Sequence, residues 1–336
     1  MDGNGLNIAV IGYGYWGPNL VRNFFAAGAN VAYIVDKDEN RLAMAKRAYP
    51  TVNTTTDINH ALQDTNVDAV AIALPVSFHY QIARMALLAD KHVLVEKPMT
   101  KSRKSAEELI EIALRKNKVI MCDHTFLYTG AVKKIYEMIS ENALGQLQYF
   151  DSIRINLGLF QNDVNVIWDL APHDISILSY ITDEQPVSVS AAGLSHTKNN
   201  VENIAYLSLF YQSNFIAHIN VSWVSPVKVR RTMIGGKTKT IIYDDVEPTE
   251  KVKIYDSSYT VSNDEANLFM VDYRVGDIYI PKLDTTEALK NMARSFCGAV
   301  TKSSKPESDY SIALKVVSLL EAAEKSLKDK GKEYKL

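Results

Sequence analysis

Apolar residues run almost without polar interruption through Leu6–Ile11, Val31–Val35, Val67–Leu74, His92–Val95 and Val119–Cys122. Short runs of this kind predict strands buried on both faces. Between them apolar residues recur at helical spacing. Leu20, Val21, Phe24 and Phe25 form one such set, with Gly28 as a stop, and Arg41–Ala48 reads as a helix ended by Pro50. Ile82, Ala83, Ala86 and Leu87 mark a third helix; Ala106, Leu109, Ile110, Ala113 and Leu114 mark a fourth. Strands alternating with amphipathic helices predict a doubly wound parallel sheet over residues 1–124. Right-handed crossovers gather the strand carboxyl ends on one edge, where ligands bind in such sheets.

Past residue 125 the period changes. Phe215, Ala217, Ile219, Val221 and Trp223 alternate with Asn214, Ile216, His218, Asn220 and Ser222, the pattern of a sheet covered on one side. Further strands are expected at Tyr149–Gly158, Val187–His196, Glu202–Tyr211, Val227–Ile234 and Thr238–Tyr243. Two late helices carry Ala288, Leu289, Met292, Ala293, Phe296 and Val300, and then Ile312, Ala313, Val316, Leu319, Leu320 and Ala323. Residues 125–336 are therefore expected to form an α+β domain with a large, mostly antiparallel sheet. Asp256–Asn267 reads as a polar loop, Tyr273–Pro281 as an irregular arm, and Lys328–Leu336 as a solvated tail.

Composition narrows the class. The 336 residues are 47% hydrophobic and 23% charged, with a formal net charge of −2, an ordinary globular balance that suggests two domains. No clustered positive field meets phosphate, so no nucleic-acid partner is expected, and no apolar run is long enough for a membrane span. The N-terminus lacks the features of a secretory signal, which predicts a cytoplasmic protein. Cys122 and Cys297 lie far apart in apolar stretches and are expected to be buried thiols; no metal site is predicted.

Gly12-Tyr13-Gly14-Tyr15-Trp16-Gly17 sits between an apolar strand and an amphipathic helix, the context of a dinucleotide-binding turn. Gly12 permits the tight turn, Gly14 the approach of a pyrophosphate, and Gly17 the close packing of helix on strand. The helix start offers N–H groups to phosphate. Asp36 ends the second strand 22 positions after Gly14, where an acid accepts from the adenosine ribose hydroxyls and repels a 2′-phosphate. NAD is the expected cofactor on a Rossmann domain, although Lys37 and Arg41 lie nearby and pull the other way. Tyr13, Tyr15 and Trp16 could flank the phosphates or simply pack.

Three later segments stand out: Ala73-Leu74-Pro75 with His79; Lys91-His92-Val93-Leu94-Val95-Glu96-Lys97-Pro98; and Trp168-Asp169-Leu170-Ala171-Pro172-His173-Asp174. Lys97 lies just past a strand carboxyl end, where an ammonium could bind a reacting hydroxyl and stabilise alkoxide charge. Asp169 and His173 are four apart, so one helix presents both on a face. Pro172 is tolerated in a first helical turn, which places a helix start here. From spacing alone, a surface lysine and a helix cap with a packed imidazole explain these residues equally well.

Together the segments resemble the glucose–fructose oxidoreductase, inositol dehydrogenase and rhizopine-catabolism (Gfo/Idh/MocA) family over nearly the whole chain. The resemblance implies oxidation or reduction of sugars, cyclitols or sugar nucleotides, with Lys97, Asp169 and His173 as the catalytic set and His173 as general base. An imidazole has an ordinary pKa of about 6.5, suited to that task. Leu74, Pro75, His79 and Glu96 are then expected beside the cofactor, with a structural role open for His79 and a cis peptide open before Pro98. The glycine-loop sequence with Trp-Asp-Leu-Ala-Pro-His is similar to the branch that oxidises C3 of nucleotide sugars such as UDP-N-acetylglucosamine. Arg154 and Asn156, two apart on a strand, with Trp223 and Arg230, are the expected substrate-binding residues beyond Lys97, Asp169 and His173. Trp223 could stack on a base or sit in the core. His124 and Tyr128 could reach substrate or seal a junction, while His60 and His196 read as surface residues. Other possibilities are a dehydrogenase of inositol or a free sugar, and a non-catalytic NAD(H) sensor. The resemblance also implies a homodimer or homotetramer paired through the exposed sheet face near Ile216.

Overall fold

The computed structural model describes residues 5–158, 160–161, 163–198, 200–263 and 269–336. In chain order its first elements are β1 (Asn7–Ile11), α1 (Gly17–Ala26), β2 (Asn30–Val35), α2 (Glu39–Ala48), β3 (Asn53–Thr55) and α3 (Ile58–Gln63). Then come β4 (Ala69–Ile72), α4 (Val76–Leu88), β5 (His92–Glu96), α5 (Arg103–Arg115) and β6 (Ile120–Asp123). They are followed by α6 (Gly130–Ser140), β7 (Leu147–Leu157), α7 (Val166–Ile181), β8 (Pro186–Leu194), β9 (Ile204–Tyr211) and β10 (Ile216–Ser222). The remainder is β11 (Val224–Gly236), β12 (Thr240–Asp244), β13 (Val252–Tyr255), β14 (Ser258–Asn263), β15 (Phe269–Arg274), β16 (Ile278–Tyr279), α8 (Ala288–Lys302), α9 (Tyr310–Lys328) and β17 (Tyr334–Lys335). The chain divides into two compact units: residues up to Thr129 with Thr286–Ser318, and Gly130–Thr285 with Leu319–Leu336.

In the first unit six parallel strands lie in the order β3-β2-β1-β4-β5-β6. Ile8, Ala9, Val10, Val93, Leu94 and Val95 are fully buried, as two helix-covered faces require. Edge strand β3 has no apolar signature: Asn53-Thr54-Thr55 is polar and, among the described residues, pairs with β2 alone. The late segment joins this unit through α8. Phe24 of α1 packs edge-on against Phe296 at 6.2 Å. Arg22 forks onto Glu287 at 2.6 and 2.8 Å, and Asn23 adds a third donor at 3.1 Å. That donor set holds the Glu287 carboxyl down to about 2, the Arg22 hydrogen bond being the largest cause. A cavity of about 770 Å³ opens at the amino end of this sheet, lined in part by Asp68, Lys91, His92 and Lys118. It lies on the edge opposite the glycine loop.

The second unit carries a nine-stranded sheet in the order β16-β13-β12-β11-β7-β10-β9-β8-β17. It is antiparallel except where β10 runs parallel to β7. Ala217, Ile219 and Val221 of β10 are fully buried while Ile216 is 44% exposed, the period-two alternation read from the sequence. Four expectations change. The arm expected at Tyr273–Pro281 is in part strand: Tyr273 and Arg274 belong to β15, and Ile278–Tyr279 pairs with β13. The polar stretch expected as a loop is in part strand: Ser258–Asn263 pairs with Phe269–Arg274, and its residues 264–267 lie outside the described residues. The tail is not wholly solvated, because Tyr334 and Lys335 pair with Val189 and Ser188 on β8. Pro172 does not mark a helix start. Asn165 caps α7, its side chain accepting from Trp168 N–H, and Pro172 sits inside the helix. The missing proline N–H gives up one bond to the carbonyl four residues back, a cost that burial of most of the α7 side chains, Ala171 and Asp174–Leu178 among them, offsets. Among the described residues no helix is long and apolar enough to cross a membrane.

Candidate functional site

The glycine loop is shaped by backbone contacts that only glycine permits. Gly12 has φ +96°, and a Cβ there would stand 2.4 Å from the Ala73 carbonyl oxygen. A Cβ on Gly17 would stand 2.1 Å from the Gly12 carbonyl oxygen. At Gly14, by contrast, a Cβ would meet only the flexible end of Arg41 at 3.4 Å. Internal packing thus explains Gly12 and Gly17 and leaves Gly14 to an approaching ligand. The start of α1 has no side-chain cap and no acid in its first turn, which leaves its N–H groups for an anion. The residues fit a dinucleotide.

Asp36 lies just beyond β2. Its carboxylate accepts the Tyr13 N–H at 2.6 Å and the Asp38 N–H at 2.9 Å, and Arg41 stands 3.6 Å away. It therefore fastens the second strand to the glycine loop. Tyr15 is 88% exposed with its ring stacked on Trp16, and Trp16 donates to Asp123 at 3.4 Å. Tyr13 is buried. Leu74 and Pro75 form the turn into α4, with Pro75 exposed at its N-cap. His79 is 1% exposed, its ring nitrogens 2.7 Å from the Leu74 carbonyl and 2.9 Å from the Pro98 carbonyl. This histidine ties together the two turns that border the strand carboxyl edge.

At that edge β5 leads through Glu96 into Lys97, and the Lys97–Pro98 peptide is cis. Glu96 accepts the Lys97 N–H at 3.2 Å. The neighbouring β6 ends at Asp123, buried and directly opposite Glu96 in the sheet. Burial, then the charge of Asp123, pushes the Glu96 carboxyl well above the usual range. His124 follows, fully buried with no partner on either ring nitrogen among the described residues. Burial first, and Lys97 second, bring it down to about 3, so it is neutral. Tyr128 belongs to packing instead: it is fully buried and its hydroxyl bonds Ser308 at 2.9 Å. Asp123 carries no sequence motif. The one sign of it was an acid closing an apolar strand immediately before a histidine. Cys122 and Cys297 are free and buried, and burial raises both thiols, Cys297 to about 11. His60 and His196 are at the surface.

In the second unit α7 presents Asp169 and His173 as partly exposed neighbours on a helix otherwise mostly buried. Trp223 is 1% exposed and its indole N–H donates to Asp169 at 3.0 Å. It is a core residue that orients the aspartate, not a platform for a base. Arg154 also differs from its expected role as a substrate clamp. It is 4% exposed and its guanidinium grips Asp174 through Nε at 2.7 Å and Nη2 at 3.0 Å. An inward position on β7 beneath α7 would strand a cation without that partner, so the fork is used inside the protein. Arg230, opposite Arg154 across the β7–β11 pair, bonds Asp245 at 3.2 Å and remains half-exposed. Asn156 is partly exposed and bonds only the adjacent Leu157 carbonyl, at 3.3 Å, among its described contacts.

Comparison with known proteins agrees with both halves of this description. The family described as "Oxidoreductase family, NAD-binding Rossmann fold" matches residues 6–124, and "GFO/IDH/MocA C-terminal domain" matches residues 132–242. The chain is 29% identical over 182 residues to the oxidoreductase YdgJ of Escherichia coli (strain K12), covering 50% of this chain and 51% of that protein. It is 28% identical over 240 residues to UDP-N-acetylglucosamine 3-dehydrogenase of Acidithiobacillus ferrooxidans, covering 68% of this chain and 71% of that one. The structure of GenD2 from gentamicin A biosynthesis, in complex with NAD, superposes with a TM-score of 0.84 at 21% identity, covering 100% of this chain and 97% of that one. The chain thus spans about half of one curated relative and about seven-tenths of the other. With the strand order, the glycine loop and both matched segments in place, this chain belongs to the Gfo/Idh/MocA oxidoreductase family and carries its NAD-binding Rossmann fold.

Proposed function

We propose that this oxidoreductase removes hydride from a hydroxyl-bearing ring carbon of a sugar and so oxidises it to a ketone, most specifically C3 of a nucleotide sugar such as UDP-N-acetylglucosamine. The observation that carries the reading is the pair on α7. Asp169 and His173 stay partly exposed on one face of a mostly buried helix, and Trp223 holds the aspartate in place. A bound nicotinamide supplies the hydride acceptor at its C4. His173 takes the hydroxyl proton, Asp169 orients the hydroxyl or the base, and the Lys97 ammonium stabilises the developing alkoxide. Gly12, Gly14, Gly17 and Asp36 hold the dinucleotide, with Tyr15, Trp16, Leu74, Pro75 and the Glu96–Lys97 turn along its length.

The curated 3-dehydrogenase relative supports the nucleotide sugar. One observation favours a second substrate class. Arg154 is committed to Asp174 and Arg230 is paired with Asp245, which leaves fewer cations for a diphosphate and suits inositol or a free sugar. The same reading places the protein in the cytoplasm as a homodimer or homotetramer, joined through the sheet face that exposes Tyr206 and Ile216 at 44% each.

The test is NAD reduction with a panel of UDP-, dTDP- and GDP-sugars, free sugars and inositols. Lys97→Ala and His173→Ala are expected to abolish most turnover while NAD still binds. Near-normal activity in either variant defeats the assignment of that residue, and turnover of inositols alone defeats the nucleotide sugar.

A further inference from the structure

Where β5 and β6 end side by side, two carboxyl groups face one another: Glu96 and Asp123 are register partners. The donors around them are unequally shared. Asp123 accepts from Trp16 Nε1 at 3.4 Å on one oxygen and from Thr125 Oγ1 at 2.5 Å on the other. Glu96 Oε2 accepts the Lys97 N–H at 3.2 Å. Glu96 Oε1 is buried, and no N–H or hydroxyl of a described residue is directed at it. Two ionised carboxylates only accept, so they cannot bond each other. A proton on Glu96 Oε1 removes the conflict, because it makes that oxygen a donor to Asp123 while Asp123 keeps the hydrogen bonds from both of its donors. The reverse arrangement would turn an Asp123 oxygen that already receives a hydrogen bond into a hydroxyl.

We propose that Glu96 and Asp123 share one proton, held on Glu96, and that this acid–carboxylate pair positions Lys97 and gives it one counter-charge instead of two. Glu96 is then a positioning residue that acts through the Lys97 backbone, and this role rests on the reading of Lys97 as a catalytic residue. The surrounding groups agree. Burial, then the Asp123 charge, favours the protonated form of Glu96. The Cys122 thiol, directed at the Glu96 carbonyl, is kept neutral by burial and then by the Asp123 charge, and buried His124 is also neutral. Among the described residues of this unit that face the pair, the charged groups are Lys97 and Asp123. A second carboxylate charge would appear only as the pH rises through the raised Glu96 value.

Infrared spectra of the full chain in deuterated buffer test the shared proton directly. Wild type is expected to show the carbonyl band of a buried, protonated carboxylic acid at neutral pH, and Glu96→Gln to lack it. A wild-type spectrum without that band overturns the proposal, whatever the enzyme turns over and whether or not any variant folds. Kinetics test the positioning role. Asp123→Asn and Glu96→Leu are expected to lower kcat on the order of 10²-fold through misplacement of Lys97. Glu96→Gln, whose amide N–H replaces the acid proton, is expected to retain more turnover than either and to lose the alkaline fall in kcat/KM expected of wild type. An alkaline limb unchanged in Glu96→Gln overturns the role of the pair. If the band behaves as expected but Lys97→Ala turns over normally, the shared proton stands and the reading of Lys97 as catalytic fails.

Discussion

Replacing Arg154 with methionine separates a structural ion pair from a substrate clamp. The guanidinium and the Asp174 carboxylate have side chains only 5% and 1% exposed and meet at 2.7 Å. At that separation and an effective dielectric near ~20 their gross attraction is on the order of 5 kcal/mol. Desolvation of both ions offsets most of it, so the net worth of the intact pair is small. Removing one partner is a different matter. Arg154→Met leaves a buried carboxylate with the Ser152 hydroxyl as its one other side-chain donor among the described contacts. Stranding a buried charge costs about 3–5 kcal/mol. For a unit of this size that lowers the melting temperature by roughly 10 °C. Arg154→Met combined with Asp174→Leu removes both charges and is expected to recover most of the loss. The assay is thermal unfolding of the three proteins beside the KM for the best sugar in the panel. A variant that melts within about 2 °C of wild type, less than the shift expected of 1 kcal/mol, while its KM rises sharply, would refute the structural account and restore the clamp.

The remaining predictions concern the first unit. Gly17→Ala forces a Cβ to within 2.1 Å of a backbone oxygen and is expected to cost about 1–3 kcal/mol. Gly14→Ala meets only an arginine tip and should unfold within about 0.5 kcal/mol of wild type. NAD titration of Gly14→Ala should nevertheless show weakened binding; unchanged affinity would remove Gly14 from the cofactor site. His92 is brought down to about 4, chiefly by burial, and its Nδ1 accepts the Val119 N–H at 2.9 Å. A folded-state value below the unfolded one means that its contribution is present above about pH 6.5 and is lost as the pH falls toward 4. His92→Asn keeps an acceptor for Val119 and does not titrate. Wild type should therefore lose stability relative to it by at most about 1.4 kcal/mol per pH unit across that window, measured by urea unfolding. A difference that does not change with pH would refute the buried neutral imidazole.

Asp169 and His173 show how a site can be partly legible. Their spacing of four residues placed them on one helix face, and that holds although the helix begins at Val166 rather than at Pro172. What spacing could not supply was the support: Trp223 comes from the bend between β10 and β11, 54 residues away. Gly12 and Gly17 were legible because a glycine's need for space is local, set by the turn itself. Arg154 was misread for the opposite reason. Its alternation with Asn156 fixed the face of the strand, but whether that face meets solvent or a helix depends on which element packs above it.

Local patterning was enough to read the parallel sheet, the glycine loop and the edge on which Lys97 lies. Each follows from local periodicity or from steric rules acting over a few residues. It also placed α8 and α9, whose apolar faces repeat at helical spacing. Long-range packing was needed to seat α8 in the first unit, where Arg22 closes onto Glu287 and Phe24 onto Phe296. It alone brought Glu96 against Asp123, 27 residues further along, because parallel strands acquire their neighbours through a crossover and not through adjacency in the chain. Burial then did what spacing cannot: it left a carboxyl oxygen without a donor, and so gave two ordinary acids a proton to share.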